Sequence, residues 1–281
     1  MKKYNTYLFF ILYIILLTVS CRKPYARNKT NSYKSEIRTN TLVSLEICPR
    51  KVNLDSDEIL IPCQLISKKE KLLYRISYIM SYNLDTRQPN WVAWHLTSEH
   101  ADGDCSRDNN YYEDPDVPYP KATNDDYRGS GWSRGHMCPA GDNKWDSEAM
   151  RESNLLTNIC PQHESLNSGL WNVIERDCRK WAKKYGEIYI VCGPVFLNKE
   201  HETIGKNKIV VPEAFYKVIL RLAPEPAAIG FIVRNNEGKK KKDQYINTVD
   251  DVERITGIDF FPALPDSIEN VVETYANLKD W

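Results

Sequence analysis

The stretch from Gly131 to Glu175 constrains this chain more tightly than any other. It holds Ser133-Arg134-Gly135-His136, then Thr157-Asn158-Ile159-Cys160-Pro161-Gln162, then Leu166-Asn167, Trp171 and Glu175. Arg134 and His136 stand two apart, so on an extended strand they share a face. Asn167 and Glu175 stand eight apart, which on a helix is an offset of roughly 80°, so they share one broad face. A strand carrying a base beside a helix carrying a carboxamide and a carboxylate suits metal-assisted phosphodiester hydrolysis. The base makes the nucleophile, oxygen ligands hold a hard cation, and an arginine steadies the phosphate.

These residues resemble the DNA/RNA non-specific endonucleases. That family comprises the ββα-metal (His-Me finger) nucleases, which include secreted bacterial nucleases and mitochondrial endonuclease G. Its signature is Asp-Arg-Gly-His, then Asn-x-x-Pro-Gln, an Asn nine residues after the first, and a Glu eight further on. Here the parts fall on Arg134-Gly135-His136, Asn158 to Gln162, Asn167 and Glu175, with both spacings kept. Asn90-Trp91-Val92-Ala93-Trp94 is similar to the family's early strand. Gly193-Pro194-Val195-Phe196 and Val211 to Lys217 are similar to its later core strands, so the resemblance covers about Tyr74 to Asp266. Ser133 stands where the motif has Asp, which leaves open how Arg134 is braced.

The resemblance implies an α+β fold, with a central antiparallel sheet, packed helices and a ββα-metal finger. It implies a Mg²⁺-dependent endonuclease, with Mn²⁺ able to substitute, that cuts DNA and RNA with little sequence preference and leaves 5′-phosphate ends. His136 is then the general base, for which a neutral imidazole is suited; the alternative is a hydrogen-bonded core histidine. Asn167 is the expected direct metal ligand, or else a helix N-cap. Asn158 and Glu175 are expected to hold the ion's waters, although Glu175 alone reads as a surface helix residue. Arg134 and Arg107 are candidate phosphate clamps, and a surface salt bridge is the other reading of Arg107. Lys239 to Lys242 would touch a nucleic-acid backbone or form a solvated loop. His136-x-Cys138 with Cys160-x-x-His163 is an overlapping set that could hold zinc. A catalytically inactive nucleic-acid-binding relative and a structural zinc protein of the envelope therefore stay open.

Charge does not single out a nucleic-acid binder, since Lys plus Arg and Asp plus Glu both number 38. A local positive patch would still suffice for an enzyme that must release its product. At the N-terminus, Lys2 and Lys3 precede an apolar run from Tyr7 to Leu17 that is short for a membrane span. Residues 1–21 read as an export signal ending at Ser20-Cys21, which resembles a lipoprotein box. Lipidation at Cys21, cleavage to a free secreted protein and an uncleaved anchor are the three readings, and each puts the protein outside the cytoplasm. If Cys21 carries lipid, an odd number of the eight cysteines remains, so at least one is free or pairs between chains.

Residues 22–50 are polar and aperiodic, a tether, and 51–281 form the expected endonuclease domain. Leu72 to Tyr82 and Trp91 to Thr97 alternate as strands, with Asp85 to Asn90 as the turn between them. His100 to Asn124 is a long acidic loop. Asn167 to Tyr185 is the expected helix, with Leu170, Ile174, Cys178, Trp181 and Tyr185 as its buried stripe and Gly186 as its stop. Glu187 to Cys192, Lys208 to Val211, Phe215 to Leu222 and Ala227 to Val233 are further strands. Thr248-Val249-Asp250-Asp251 opens a short helix that Gly257 closes.

Overall fold

The computed structural model describes residues 58–65, 68–236 and 239–281. The expected export signal with Cys21, the tether with Cys48, and Glu237-Gly238 lie outside the described residues. The chain first lays down β1 (Lys71–Tyr74), β2 (Ile79–Asn83) and β3 (Gln88–Thr97). A long loop leads to α1 (Asn124–Tyr127), β4 (Ser133–His136), α2 (Ser147–Ser153) and β5 (Ile159–Gln162). A wide turn then enters α3 (Asn172–Tyr185) and β6 (Glu187–Val195). β7 (Thr203–Ile204), β8 (Ile209–Val210), β9 (Ala214–Arg221), β10 (Ala227–Arg234) and β11 (Ile246–Asn247) follow, then α4 (Val249–Thr256) and α5 (Asp266–Val272).

Seven strands form one sheet in the order β1-β2-β3-β6-β9-β10-β11, every neighbouring pair antiparallel. Side chains alternate across its strands, and β3, β6 and β9 are almost unbroken in buried residues because both faces are covered. Val92, Trp94, Ile190, Cys192, Phe215 and Ile219 pack with Trp171, Ile174, Cys178 and Trp181 of the α3 region. Trp91, Ala93, Tyr189, Val191, Tyr216 and Val218 pack on the other side with Val249 and Val252 of α4, then Phe260 and Val272. Each Val, Ile or Phe among them, fully buried, stabilises the fold by roughly 1.5–3 kcal/mol. The architecture is the expected α+β class. Among the described residues no helix is long and apolar enough to cross a membrane.

β4 and β5 form a separate two-stranded ribbon in which Gly135 faces Cys160 and His136 faces Ile159. Gly135 has a steric reason. A Cβ there would lie 2.6 Å from the Cβ of Gln162, whose side chain is fully buried against it. The Gly of the Arg-Gly-His run and the Gln of the Asn-x-x-Pro-Gln run are thus two halves of one contact. Asn235 fastens the ribbon to the main sheet: its amide donates to Pro161 O (3.0 Å) and Pro212 O (2.8 Å), and its oxygen accepts from His163 N (2.8 Å).

Three expected elements differ. Leu72 to Tyr82 is two strands in a hairpin, because Tyr74 pairs with Ile79 and Arg75 N bonds Tyr78 O (2.8 Å). Arg75 fixes that turn by reaching Asp114 (2.6 Å) and Asp116 (2.8 Å). β3 starts at Gln88, so the turn ends earlier than Asn90; Pro89 is tolerated because the β2–β3 register shifts beside it, at Ser81/Tyr82. The helix expected from Asn167 begins instead as a π-type turn over Leu166–Trp171, broken at Gly169 (φ −96°, ψ −111°), and is regular only from Asn172. Gly186 (φ 91°) stops it, and Thr248 caps α4 by accepting from Asp251 N (3.1 Å), with Gly257 left-handed at its end.

Candidate active site

His136 ends β4 and is 7% exposed. Asn154, at the end of α2, orients its ring. The Asn154 amide donates to Asp108 O (2.9 Å), which turns its oxygen toward His136 Nε2 at 2.8 Å. That oxygen can only accept, so Nε2 carries the proton and Nδ1 keeps the lone pair. Among the described residues Nδ1 has no partner. Burial, and after it the charge of Arg107, pull the imidazole down to about 4 against the opposing effect of the Asn154 bond. The ring is therefore neutral near neutral pH, the state a general base requires.

Arg134 shares the face of His136, as the two-residue spacing predicts. Tyr111 touches both, its ring 5.6 Å from the His136 ring centre and 5.2 Å from the Arg134 guanidinium carbon. Tyr127 lies at the same distance from that carbon, and Arg134 Nη2 donates to Asn124 O (3.0 Å). This answers the question raised by Ser133. Two aromatic faces and a carbonyl brace Arg134, while the Ser133 hydroxyl donates to Glu164.

Asn158 departs from its expected role. It is fully buried; its oxygen accepts from Cys138 N (2.9 Å), and its amide donates to Cys138 O (2.8 Å) and Ser153 O (2.7 Å). All three bonds go to backbone, so Asn158 is a clamp that fixes the chain after His136 to the end of α2. It does not face outward to hold an ion's waters.

Asn167 and Glu175 behave differently. Asn167 is not a helix cap, since Leu166 N and Asn167 N both bond His163 O within the turn. Both side chains are half-buried, and neither makes a hydrogen bond to another described residue. Burial raises Glu175 to about 7, even though Lys217, Arg179 and Arg107 nearby favour its ionised form. An unpartnered carboxamide in the turn before α3 and an under-neutralised carboxylate in its first turn fit a hard divalent cation. Arg107 is exposed, without a partner among the described residues, and its charge is felt at His136, Tyr111 and Glu175. The arginine's charge thus reaches both base and carboxylate. For Asn167 the structure shows a position and a free carboxamide, with no contact to the others.

Sequence reasoning does not single out Lys217, although it interrupts an apolar run in β9. Its amine is fully buried, has no hydrogen-bond partner, and sits 4.7 Å from the Trp94 ring and 4.8 Å from the Trp171 ring. Burial would lower its pKa, but Cys192, Cys178, Glu175 and Asp142 outweigh that and hold it raised. Asp142, bonded to Arg179 (2.6 Å) and Trp94 Nε1 (3.1 Å), completes this charged layer. Nothing local marks Asn154 or Tyr111, because their roles come from contacts across the chain.

The zinc set does not assemble. Gly135 pairs with Cys160, so Cys160 and His136 lie on opposite faces of the ribbon. His163 is exposed and bonds Ser165 (2.8 Å). All six described cysteines, Cys63, Cys105, Cys138, Cys160, Cys178 and Cys192, are free thiols. Of the lysine run, Lys242 pairs with Asp177 and lies 5.4 Å from the Trp181 ring, whereas Lys240 and Lys241 are exposed beside Gly169 and Val173.

A two-stranded ribbon bearing a neutral histidine, followed by a helix bearing free oxygen donors, defines a ββα-finger nuclease fold. The chain belongs to the DNA/RNA non-specific endonuclease family, whose model matches residues 55–267. It is 39% identical to mitochondrial nuclease EXOG of Mus musculus over 206 residues, 67% of this chain and 56% of that protein. It is 33% identical to mitochondrial endonuclease G of Bos taurus over 207 residues, 68% of this chain and 69% of that one. A crystal structure of the EndoG/EndoGI complex contains a chain that superposes with a TM-score of 0.66 at 28% identity, covering 71% of this chain and 89% of that chain. The match thus spans little more than half the length of the EXOG relatives.

Proposed function

We propose that this protein is a metal-dependent endonuclease that hydrolyses phosphodiester bonds of DNA and RNA with little sequence preference. The observation that carries the reading is the state of His136: neutral, with Nε2 committed to Asn154 and the Nδ1 lone pair free. His136 takes a proton from water at Nδ1. Asn154, held by Asp108 O, keeps the ring in the required tautomer. Arg107 and Arg134 bind phosphate oxygens, and because both are arginines they bind in forked fashion and stay charged. Asn167 would hold one Mg²⁺, with Mn²⁺ as a substitute and Glu175 beside it; when bound, the cation offsets charge on the phosphate and the leaving 3′ oxygen. The proposed contacts go to the phosphodiester backbone, which is common to all sequences.

The experiment is a plasmid-nicking assay with and without chelator. Nicking should vanish in chelator and return with Mg²⁺ or Mn²⁺. Full activity in excess chelator removes the metal from the mechanism. Binding without cleavage at any metal concentration would make the protein an inactive nucleic-acid-binding relative.

A place outside the cytoplasm is part of the same proposal. Its support is Lys2, Lys3, the apolar run to Leu17 and the Ser20-Cys21 box. Mass spectrometry of the mature N-terminus should find a lipidated Cys21. An unmodified start elsewhere removes the lipid anchor and leaves export standing.

A further inference from the structure

The sheet face opposite the finger carries a second cluster of hard ligands. Asp250 and Glu253 on α4 and Glu273, just after α5, each bring a carboxylate oxygen within 4.8 Å of the others. A backbone bond from Asp250 N to Glu273 O (3.2 Å) joins the two segments there. Glu273 is 7% exposed, and its Oε1 is shielded from solvent with no hydrogen-bond partner. Glu253 gives one oxygen to Phe260 N (2.8 Å) and keeps the other. Among the described residues no cation answers these charges from the packed elements. Asp259 and Glu269 face the cluster and are acidic, Arg254 is turned to Asp251 (2.6 Å), and Lys68 reaches Thr256 O at the other end of α4. Burial, then the neighbouring carboxylates, lift Glu273 to about 9. Burial, then Asp259 and Asp250, lift Glu253 to about 7.

We propose that Asp250, Glu253 and Glu273 form a Ca²⁺ site that ties α4 to the end of α5. A buried carboxylate oxygen without a donor is strongly disfavoured unless a positive group meets it. The donors are oxygens alone, which selects a hard cation. Ca²⁺ binds oxygens at 2.3–2.6 Å, so two on opposite sides of one ion stand up to about 5 Å apart, the span seen here. Mg²⁺ needs shorter bonds in a strict octahedron. Asp250 is exposed, which leaves room for waters to complete the shell. The site is structural, since α4 and the residues around α5 pack on the face away from His136.

The test is thermal unfolding of the full chain, stripped with chelator and then titrated with Ca²⁺ alone. At about a hundred times the Kd, Tm should rise by roughly 5 °C or more. Asn167→Ala should keep the rise, because it alters only the active-site position. Glu273→Gln and, separately, Glu253→Gln should abolish it. Both should unfold in chelator near the wild-type temperature, since Gln stands in for a carboxyl that burial already holds protonated at Glu273 and partly protonated at Glu253. No rise in either wild type or Asn167→Ala would mean that protons neutralise the cluster, and the proposal fails. A rise that survives Glu273→Gln but vanishes in Asn167→Ala would place the ion at the nuclease centre and overturn it equally.

Discussion

On the face covered by α3, the main sheet buries charge; on the face covered by α4 and α5, its strands bury none. Both buried cations contributed by these strands, Lys217 and Arg221, point toward α3: Lys217 to Trp94 and Trp171, Arg221 to Tyr185 and Trp281. The same strands send Trp91, Tyr216 and Val218 the other way, into an apolar cluster. Replacing a buried ion by an apolar group is often neutral or stabilising, so stability alone does not explain the α3 side. The charged layer makes sense as a fixed positive field behind Glu175. Both faces pack the fold, and the α3 face in addition holds the charges that act on Glu175.

The largest expected effect breaks the comparison at its chemical end. His136→Ala should lower the cleavage rate by about 10²- to 10⁴-fold, the usual worth of a positioned base. Stability should fall by only about 1–3 kcal/mol, the penalty of leaving the Asn154 oxygen without its donor. Steady-state kinetics and a melting curve on one preparation check both. A large drop in melting temperature with an unchanged rate per folded molecule would make His136 a core histidine.

The second prediction asks whether the two faces are separable. Trp171→Ala on the α3 face and Phe260→Ala on the other should each cost about 3–5 kcal/mol in denaturant unfolding. Only Trp171→Ala should also raise the Mg²⁺ concentration needed for half-maximal rate, because Trp171 closes the turn that carries Asn167. Equal Mg²⁺ requirements in the two variants would show that the turn tolerates a displaced ring.

These pairs also show what the sequence could and could not disclose. The Arg134–His136 face, the α3 stripe and the Gly186 stop were legible because they follow from local periodicity and turn chemistry. The hairpin at Arg75 was not: alternation runs through it, and its cause is Asp114, far along the chain. The break at Gly169 was hidden because the apolar spacing continues on both sides. The motif spacing singles out Asn158 but not its backbone contacts, since spacing cannot say whether a carboxamide faces backbone or solvent. Asn154, Tyr111 and Lys217 entered only through contacts across the fold.

A third, smaller effect sharpens the electrostatic half of the comparison. If Glu175 must be ionised to act, activity should rise as pH passes through about 7 and should not be limited by His136 until about 4. The sign for stability is opposite. From its ordinary value up to about 7 the folded state holds a proton on Glu175 that the unfolded chain releases, so this group's contribution falls as pH rises. Lys217→Met removes the positive charge behind Glu175 and should move the acid limb upward by about one unit, on the order of a tenfold loss on that limb. Melting temperature should change little. Rescue of the rate at higher pH separates a lost field from a damaged fold; a rate depressed equally at every pH would count against the field.

The smallest expected effect concerns Arg107, the exposed group whose charge reaches both base and carboxylate. It makes no bond to another described residue, so Arg107→Ala leaves nothing unpaired and the fold should be untouched within about 0.5 kcal/mol. On the proposed reading its contribution is to substrate. An arginine on a phosphate displaces counterions, and removing it should weaken binding uniformly across sequences and lower the salt slope of log K by about 1. Arg107→Lys should restore most of the slope, which counts charge, yet recover less of the rate, which depends on the forked geometry that lysine lacks. Binding of a short duplex to the His136→Ala background, measured at several salt concentrations, isolates the slope from turnover. An unchanged slope in Arg107→Ala would return this residue to the plain surface role its exposure permits and leave Arg134 as the sole phosphate contact on the finger face.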